Sequence, residues 1–338
     1  MYEGSLAPDR EVLHGPLALY TDPAGSDVGA GVQMLTAAGF RVEVHDLDSE
    51  QELVELAAEL QPAALLVSYL AVGERVFAAA PSIQIVSCSA VGFDCVDLEA
   101  ANAAGVWVAN VPDAATEEVA SHALAMALAL VRHLPLLDRH VREGGWHYAA
   151  TGTPGRLSEM TLAVIGMGRI GRRLANMGSA VFGQVIGFDA VAADGSWPAG
   201  IRRVGLDECL AEGDVVSLHL PLNDLTRSII DEDALARMRP GSFIVNVSRG
   251  GLIDTGALLG ALDTGRLGGA ALDVTDPEPP DAGDRLRRHP QILITPHAAF
   301  LSAQALKAYV LRQAENVIGW HRNGRPNTPV NDLEIGVV

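Results

Sequence analysis

The strongest constraint on this chain lies near its middle. There the apolar run Leu162 to Ile165 leads straight into Gly166-Met167-Gly168-Arg169-Ile170-Gly171 and on into a helical stretch reaching Phe182. A strand that ends in G-x-G-x-x-G and opens a helix predicts a tight turn at the first glycine, close approach of backbone to a pyrophosphate at the second, and close helix–strand packing at the third. The helix start offers unpaired N–H groups and a positive dipole end to the phosphates. With 35 glycines in the chain the pattern could arise by chance, so Asp189 decides. It ends the next strand pattern, Val185 to Phe188, where a carboxylate accepts hydrogen bonds from the adenosine ribose and repels a 2′-phosphate. Ala190, Val191 and Ala192 follow with no arginine, and Arg202 and Arg203 lie too far along the chain to change the reading. The expected cofactor is NAD rather than NADP.

Around this loop, short β-branched runs alternate with helical patterns, which predicts β-α-β units, parallel sheets and an α/β fold. A chain of 338 residues that is 49% apolar can build two domains. In the first third, strands are expected at Leu17 to Tyr20, Arg41 to His45, Ala64 to Ser68, Gln84 to Ser87 and Val106 to Ala109, with helices at Val28 to Ala38 and Gln51 to Leu60. These make one small doubly wound sheet. A larger set begins at Thr161, with strands at Leu162 to Ile165, Val185 to Phe188, Val215 to Leu218, Phe243 to Val247, Ala270 to Val274 and Ile292 to Thr295, and a closing helix from Ser302 to Arg322. Between the sets, Thr116 is expected to cap one long helix running to about Arg142 and stopping at Gly144 and Gly145, with Glu117 and Glu118 favourable in its first turn. His133, His140 and His147 recur along it every seven residues, about 10 Å apart on a helix and too far to share one ion, so a solvated or subunit-facing stripe is expected and no metal.

Bulk properties narrow the partners. A net charge of −18 repels phosphate backbones and anionic lipid, so neither nucleic acid nor membrane is expected to bind. Met1 to Arg10 lacks the basic-then-apolar order of a secretory signal, and the apolar stretch Val119 to Val131 is shorter than the roughly 20 residues of a bilayer span. Cys88, Cys95 and Cys209 form no C-x-x-C pair and lie in runs that read as strands or strand ends, which fits a reducing, cytoplasmic compartment.

Nicotinamide chemistry needs a proton donor or acceptor and a cationic grip on the substrate. Three segments offer them: Arg249 in Asn246-Val247-Ser248-Arg249-Gly250-Gly251, Glu278 in Asp273-Val274-Thr275-Asp276-Pro277-Glu278-Pro279, and His297 after Ile294-Thr295-Pro296. Residues just beyond the carboxyl ends of parallel strands line the ligand crevice, so these three should converge. Singly, each also reads as a surface turn, a loop charge or a structural histidine.

With these segments, Val91-Gly92-Phe93-Asp94, Asn110-Val111-Pro112, Thr116-Glu117, His219-Leu220-Pro221-Leu222 and Pro329-Val330-Asn331, the chain resembles the D-isomer-specific 2-hydroxyacid dehydrogenases over nearly its whole length. Within them it looks nearest the branch of the C-terminal binding proteins, through Ser89-Ala90-Val91-Gly92-Phe93-Asp94 and His297-Ala298-Ala299-Phe300-Leu301-Ser302. The resemblance implies a flavodoxin-like substrate (catalytic) domain of residues 1–112 plus 297–338, a Rossmann NAD-binding domain of residues 113–296, and closure about hinges near Asn110 to Pro112 and Pro296 to Ala299. It adds Thr116, Arg169, Ile170, Pro221, Thr226, Val247 and Asp273 to Gly166, Gly168, Gly171 and Asp189 as cofactor-binding positions. His219 is expected to pack near the adenine side with no chemical role.

For the reaction the resemblance implies NAD-dependent oxidoreduction of a small 2-oxo or 2-hydroxy acid. Arg249 would hold the substrate with its planar fork, His297 would be the acid/base, and Glu278 on the other ring nitrogen would fix the tautomer. Backbone N–H groups of Val91 and Gly92 would complete the carboxylate grip, beside Tyr69, Phe300, Ser68, Leu70, Cys88 and Ser89. Relatives pair as homodimers through the helix after Thr116. Cys88 and Phe300 depart from the arginine and tryptophan of the C-terminal binding proteins, so a second cationic contact is missing. A phosphonate- or phosphite-type dehydrogenase stays open, because Arg249 binds such oxyanions as readily as carboxylate. The reading from another class is an NAD-sensing, corepressor-like binding protein, against which the complete Arg249, Glu278 and His297 set argues.

Overall fold

The computed structural model describes residues 15–333 apart from 24, 194 and 196, so the opening segment Met1 to Arg10 lies outside the described residues. The chain divides into two compact units, one running to Ala114 and resuming at Ala303, the other Ala115–Ser302.

The first unit alternates β1 (Leu17–Tyr20), α1 (Gly29–Ala37), β2 (Arg41–Val44), α2 (Glu50–Leu60), β3 (Ala64–Val67), α3 (Glu74–Ala79), β4 (Ile85–Cys88), α4 (Leu98–Ala103) and β5 (Trp107–Ala109). All pairings are parallel and the order is β2-β1-β3-β4-β5, the flavodoxin-like arrangement. β1, β3 and β4 are buried along their whole length, as strands of a sheet covered on both faces must be. α2 starts where the Ser49 hydroxyl accepts from the Glu52 N–H, and ends at Gln61 in the left-handed conformation.

The second unit opens with α5 (Thr116–Val131) and α6 (Leu134–Arg142) where one helix was expected. His133 takes a φ of 53°, Pro135 starts the next turn, and the two helices meet at 60°. Thr116 is the first helical residue and not the cap; Ala115 holds that position without a side-chain bond. α5 buries Val119, Ala120, Ala123, Met126, Ala127, Leu130 and Val131, whereas α6 buries nothing. There follow β6 (Thr161–Ile165), α7 (Arg169–Gly178), β7 (Gln184–Phe188), β8 (Arg202–Arg203), α8 (Leu206–Glu212), β9 (Val215–Leu218), α9 (Glu232–Arg237), β10 (Ser242–Asn246), α10 (Thr255–Asp263), β11 (Leu267–Leu272) and β12 (Ile292–Ile294). Their parallel sheet runs β12-β11-β10-β9-β6-β7-β8, so the chain reverses its direction of travel beside β6 as a dinucleotide-binding sheet does. Cys209 lies in α8 rather than in a strand.

α11 (Ala303–Asn323) returns to the first unit. Its buried Gln313 donates to the Val67 and Ser87 carbonyls at 3.1 and 2.8 Å, and its buried Asn316 donates to the Asn110 carbonyl at 3.0 Å. Buried polar groups need such partners. The units part at residues 114 and 302 rather than 112 and 296, because His297, Ala298 and Ala299 are bonded to Asp273 and the Ser302 hydroxyl donates to Glu118 at 2.7 Å. No single helix among the described residues is long and apolar enough to cross a membrane.

Candidate active site

In the second unit the catalytic candidates stand at the carboxyl ends of three adjacent strands. Arg249 follows β10, Glu278 lies in the loop after β11, and His297 follows β12. The imidazole Nδ1 of His297 lies 2.6 Å from Glu278 Oε1. An ionised carboxylate only accepts, so Nδ1 carries the proton in this contact. Burial alone would raise the Glu278 carboxyl, but the hydrogen bond and charge of His297, the Thr275 N–H and the charge of Arg249 outweigh it and hold the group below its ordinary value. The Arg249 main chain is fixed by Asn246, whose Nδ2 donates to the Arg249 carbonyl at 2.8 Å and whose Oδ1 accepts from the Ser248 N–H at 3.0 Å. Phe300 meets the His297 ring edge-on at 6.3 Å between centroids.

His297 has a φ of 52°, an unusual backbone conformation for a residue with a side chain. Asp273, fully buried at the end of β11, accounts for it. Its carbonyl accepts from the His297 N–H at 2.8 Å, Oδ1 accepts from the Thr295 hydroxyl at 2.5 Å and the Ala298 N–H at 2.9 Å, and Oδ2 accepts from the Ala299 N–H at 2.9 Å. His122 on α5 reaches the Thr295 hydroxyl at 3.2 Å. The sequence reading marked Asp273 for the cofactor and missed this second role.

The glycine turn after β6 has the form a pyrophosphate requires. Gly166 has a φ of 98°, and a Cβ on it would stand 2.4 Å from the His219 carbonyl oxygen. A Cβ on Gly171 would stand 1.9 Å from the Gly166 carbonyl oxygen, whereas Gly168 has no neighbouring atom within 4 Å of that position. Gly168 begins α7 with no side-chain cap and no acidic residue in the first turn, and Arg169 and Ile170 are the first helical residues. Unshielded helical N–H groups beside open space fit a phosphate. Asp189 follows β7; Oδ2 accepts from the Met167 N–H of the turn, and Oδ1 from the Val191 and Ala192 N–H groups, each at 2.8 Å. Parallel pairing of Gly187 with Arg203 carries Arg203 to this loop, where it donates to the Ala192 carbonyl at 3.2 Å and covers the Trp197 ring at 5.0 Å. Sequence distance is therefore no reason to discount it.

The remaining cofactor candidates lie on two strand-end loops and a helix start. Pro221 and Thr226 share the loop after β9, joined by the Thr226 hydroxyl to the Pro221 carbonyl at 2.7 Å; Val247 is buried just after β10; Thr116 starts α5. His219 Nε2 meets the Ser217 hydroxyl at 2.9 Å while Nδ1 is sealed off without a partner, and burial pushes the ring down to about 3.

Tyr69, Val91 and Gly92 belong to the first unit, at the ends of β3 and β4. The Val91 carbonyl accepts from Asn110 Nδ2 at 2.6 Å, and Tyr69 is exposed. Cys88 is fully buried; its hydrogen bond to Cys95, together with burial, holds its thiol well above the ordinary value. That is the wrong direction for a nucleophile.

Residues 124–299 match the family model described as "D-isomer specific 2-hydroxyacid dehydrogenase, NAD binding domain". The chain is 39% identical over 274 residues to the D-3-phosphoglycerate dehydrogenase of Mycobacterium tuberculosis, covering 80% of this chain and 51% of that one, so it spans about half the length of that relative. It is 36% identical over 271 residues to the glyoxylate reductase of Korarchaeum cryptofilum, covering 78% of this chain and 80% of the relative. Among solved structures, the D-lactate dehydrogenase of Aquifex aeolicus complexed with NAD and lactic acid superposes with a TM-score of 0.80 at 27% identity, covering 90% of this chain and 95% of that one. The chain therefore belongs to the D-isomer specific 2-hydroxyacid dehydrogenase family, with its NAD-binding domain in the second unit.

Proposed function

We propose that this protein is an NAD-dependent oxidoreductase acting on C2 of a small 2-oxo or 2-hydroxy acid. The observation that carries the proposal is the 2.6 Å contact of His297 with Glu278 beside Arg249, in a domain built for NAD. NADH supplies the hydride to C2. The Arg249 fork holds the substrate oxygens and draws electron density from the 2-oxo group. His297 delivers a proton from Nε2 to the oxygen on C2, and in the oxidative direction Nε2 takes it back. Glu278 accepts from Nδ1–H and so fixes the ring's tautomer and orientation. Phe300, edge-on to the His297 ring, meets the rest of the molecule. Thr116, Arg169, Ile170, Pro221, Thr226, Val247 and Asp273 line the cofactor, and Asp189 selects NAD by its charge.

The protein works as a homodimer. Leu134 and Val141 on α6 are exposed, and Trp146 and Tyr148 beyond it are 88% and 91% exposed. Apolar groups so displayed call for a covering surface, and a second copy presenting the same arm supplies it. Three cysteines with no disulfide among them suit a cytoplasmic location, and the net charge of −18 disfavours nucleic acid and membrane.

The test is NADH oxidation with glyoxylate, hydroxypyruvate, pyruvate, phenylpyruvate, 2-oxoglutarate and phosphonopyruvate, NADPH serving as control. Turnover of at least one 2-oxo acid is expected. NADH binding with no turnover of any would refute the assignment, and turnover of phosphonopyruvate alone would narrow the substrate to a 2-oxo acid bearing a phosphonate.

A further inference from the structure

The apolar face of α5 is interrupted by an imidazole. His122 lies three residues after the buried Val119 and four before the buried Met126, so it points to the same side of the helix as they do. Its Nε2 stands 3.2 Å from the Thr295 hydroxyl and 3.8 Å from Asp273 Oδ1, the second distance being too long for a direct hydrogen bond. Thr295 therefore stands between His122 and the carboxylate that holds the loop of His297. All four residues belong to the second unit.

Proton accounting gives this chain of contacts its direction. The Thr295 hydroxyl has one hydrogen and donates it to Asp273 Oδ1 at 2.5 Å. Its oxygen can then only accept from His122, so Nε2 carries a hydrogen. A ring protonated on Nδ1 alone would instead present an acceptor and compete with Asp273 for the hydroxyl hydrogen. Donation from Nε2 polarises the hydroxyl and strengthens its bond to the carboxylate. The same carboxylate accepts from the Ala298 and Ala299 N–H groups, and the Asp273 carbonyl accepts from the His297 N–H. A side chain on α5 thus reaches the backbone of the loop after β12 through one hydroxyl and one carboxylate.

We propose that His122 is a positioning residue for the reaction, whose Nε2–H orients the Thr295 hydroxyl onto Asp273 and so helps to hold His297 in its working place. The inference rests on the function proposed above. It assigns His122 to the placement of the acid/base and not to proton or hydride transfer.

His122→Phe keeps a planar ring and removes the donor, whereas His122→Gln carries an N–H2 group as many bonds from the backbone as Nε2 is. For His122→Phe we expect kcat with the preferred 2-oxo acid to fall about tenfold, with KM for NADH changing far less. His122→Gln should recover most of that kcat. The double variant His122→Phe/Thr295→Val should be no worse than Thr295→Val alone, because His122 acts through the Thr295 hydroxyl. Equal kcat in the phenylalanine and glutamine variants would overturn the inference, as would lowered thermal stability with wild-type kcat, or additive losses in the double variant. Should His122→Phe fail to fold, His122→Asn, whose amide stops one bond short of Thr295, should show the same loss; wild-type kcat in that soluble variant overturns the inference equally. Wild-type protein inert toward every 2-oxo acid overturns the proposed function and this inference together, whereas active wild type with unaffected variants overturns this inference alone.

Discussion

The substitution Asp273→Asn probes how the active-site histidine is held. The carboxylate satisfies three donors besides the His297 N–H on its own carbonyl: the Thr295 hydroxyl, the Ala298 N–H and the Ala299 N–H. Asparagine offers one oxygen and two donor hydrogens in the same volume. At least one buried donor then faces another, at about 1–3 kcal/mol, and the surviving bonds lose their charge assistance. A total loss of about 2–4 kcal/mol lowers the melting temperature by roughly 5–15 °C in a domain of this size. The left-handed backbone of His297, at φ 52°, costs about 1–2 kcal/mol for a residue with a Cβ, and only the surrounding bonds maintain it. Released, His297 relaxes away from Glu278 in most molecules, and kcat falls about ten- to hundredfold. Steady-state NADH oxidation beside a thermal melt measures both effects. A variant with a lowered melting temperature and wild-type kcat would refute the reasoning, since the loop would then hold His297 without its anchor.

Three further outcomes are expected. His297→Ala should cut turnover about a hundredfold or more while NADH binding, followed by fluorescence titration, is retained; unchanged turnover would remove the imidazole from the mechanism. Wild type should prefer NADH, and Asp189→Ser should move the ratio of kcat/KM for the two cofactors about tenfold toward NADPH, because the like charge is gone and Arg203 lies against the same loop; a wild-type preference for NADPH would refute the role of Asp189. His219 sets an acid limit: the unfolded chain takes up a proton near 6.5, whereas the folded chain refuses it down to about 3. Between those values the unfolded state binds more protons, so stability falls with falling pH, by at most about 1.4 kcal/mol per unit and about 2 kcal/mol by pH 5. Urea unfolding at pH 7 and pH 5 should show a smaller difference for His219→Gln than for wild type, and equal differences would count against the sealed ring.

Much of the architecture could be read from the residues because most strands are buried on both faces and appear as short apolar runs such as Ala64–Val67 and Val215–Leu218. β8, two exposed arginines, carries no such mark. The break between α5 and α6 did carry one: Pro135 inside a helical pattern was the available signal, outweighed by the continuous apolar periodicity around it. Arg249, Glu278 and His297 were legible because strand-end placement is a topological rule that needs no coordinates. His122 was not legible, since a lone histidine reads as an interruption of an apolar helix and its partner Thr295 lies 173 positions away. Arg203 was discounted for the same reason, distance along the chain standing in for distance in space.

The return of α11 to the first unit bears on the order in which the protein can be made. A ribosome releases β1 to β5 long before Gln313 and Asn316 exist to satisfy the carbonyls of Val67, Ser87 and Asn110. The nascent sheet must wait, with the face shared by α1 and α11 only partly covered, while all of Ala115–Ser302 is translated. The unit begun before the other is thus completed only after it, and its apolar residues lack part of their cover in the interval.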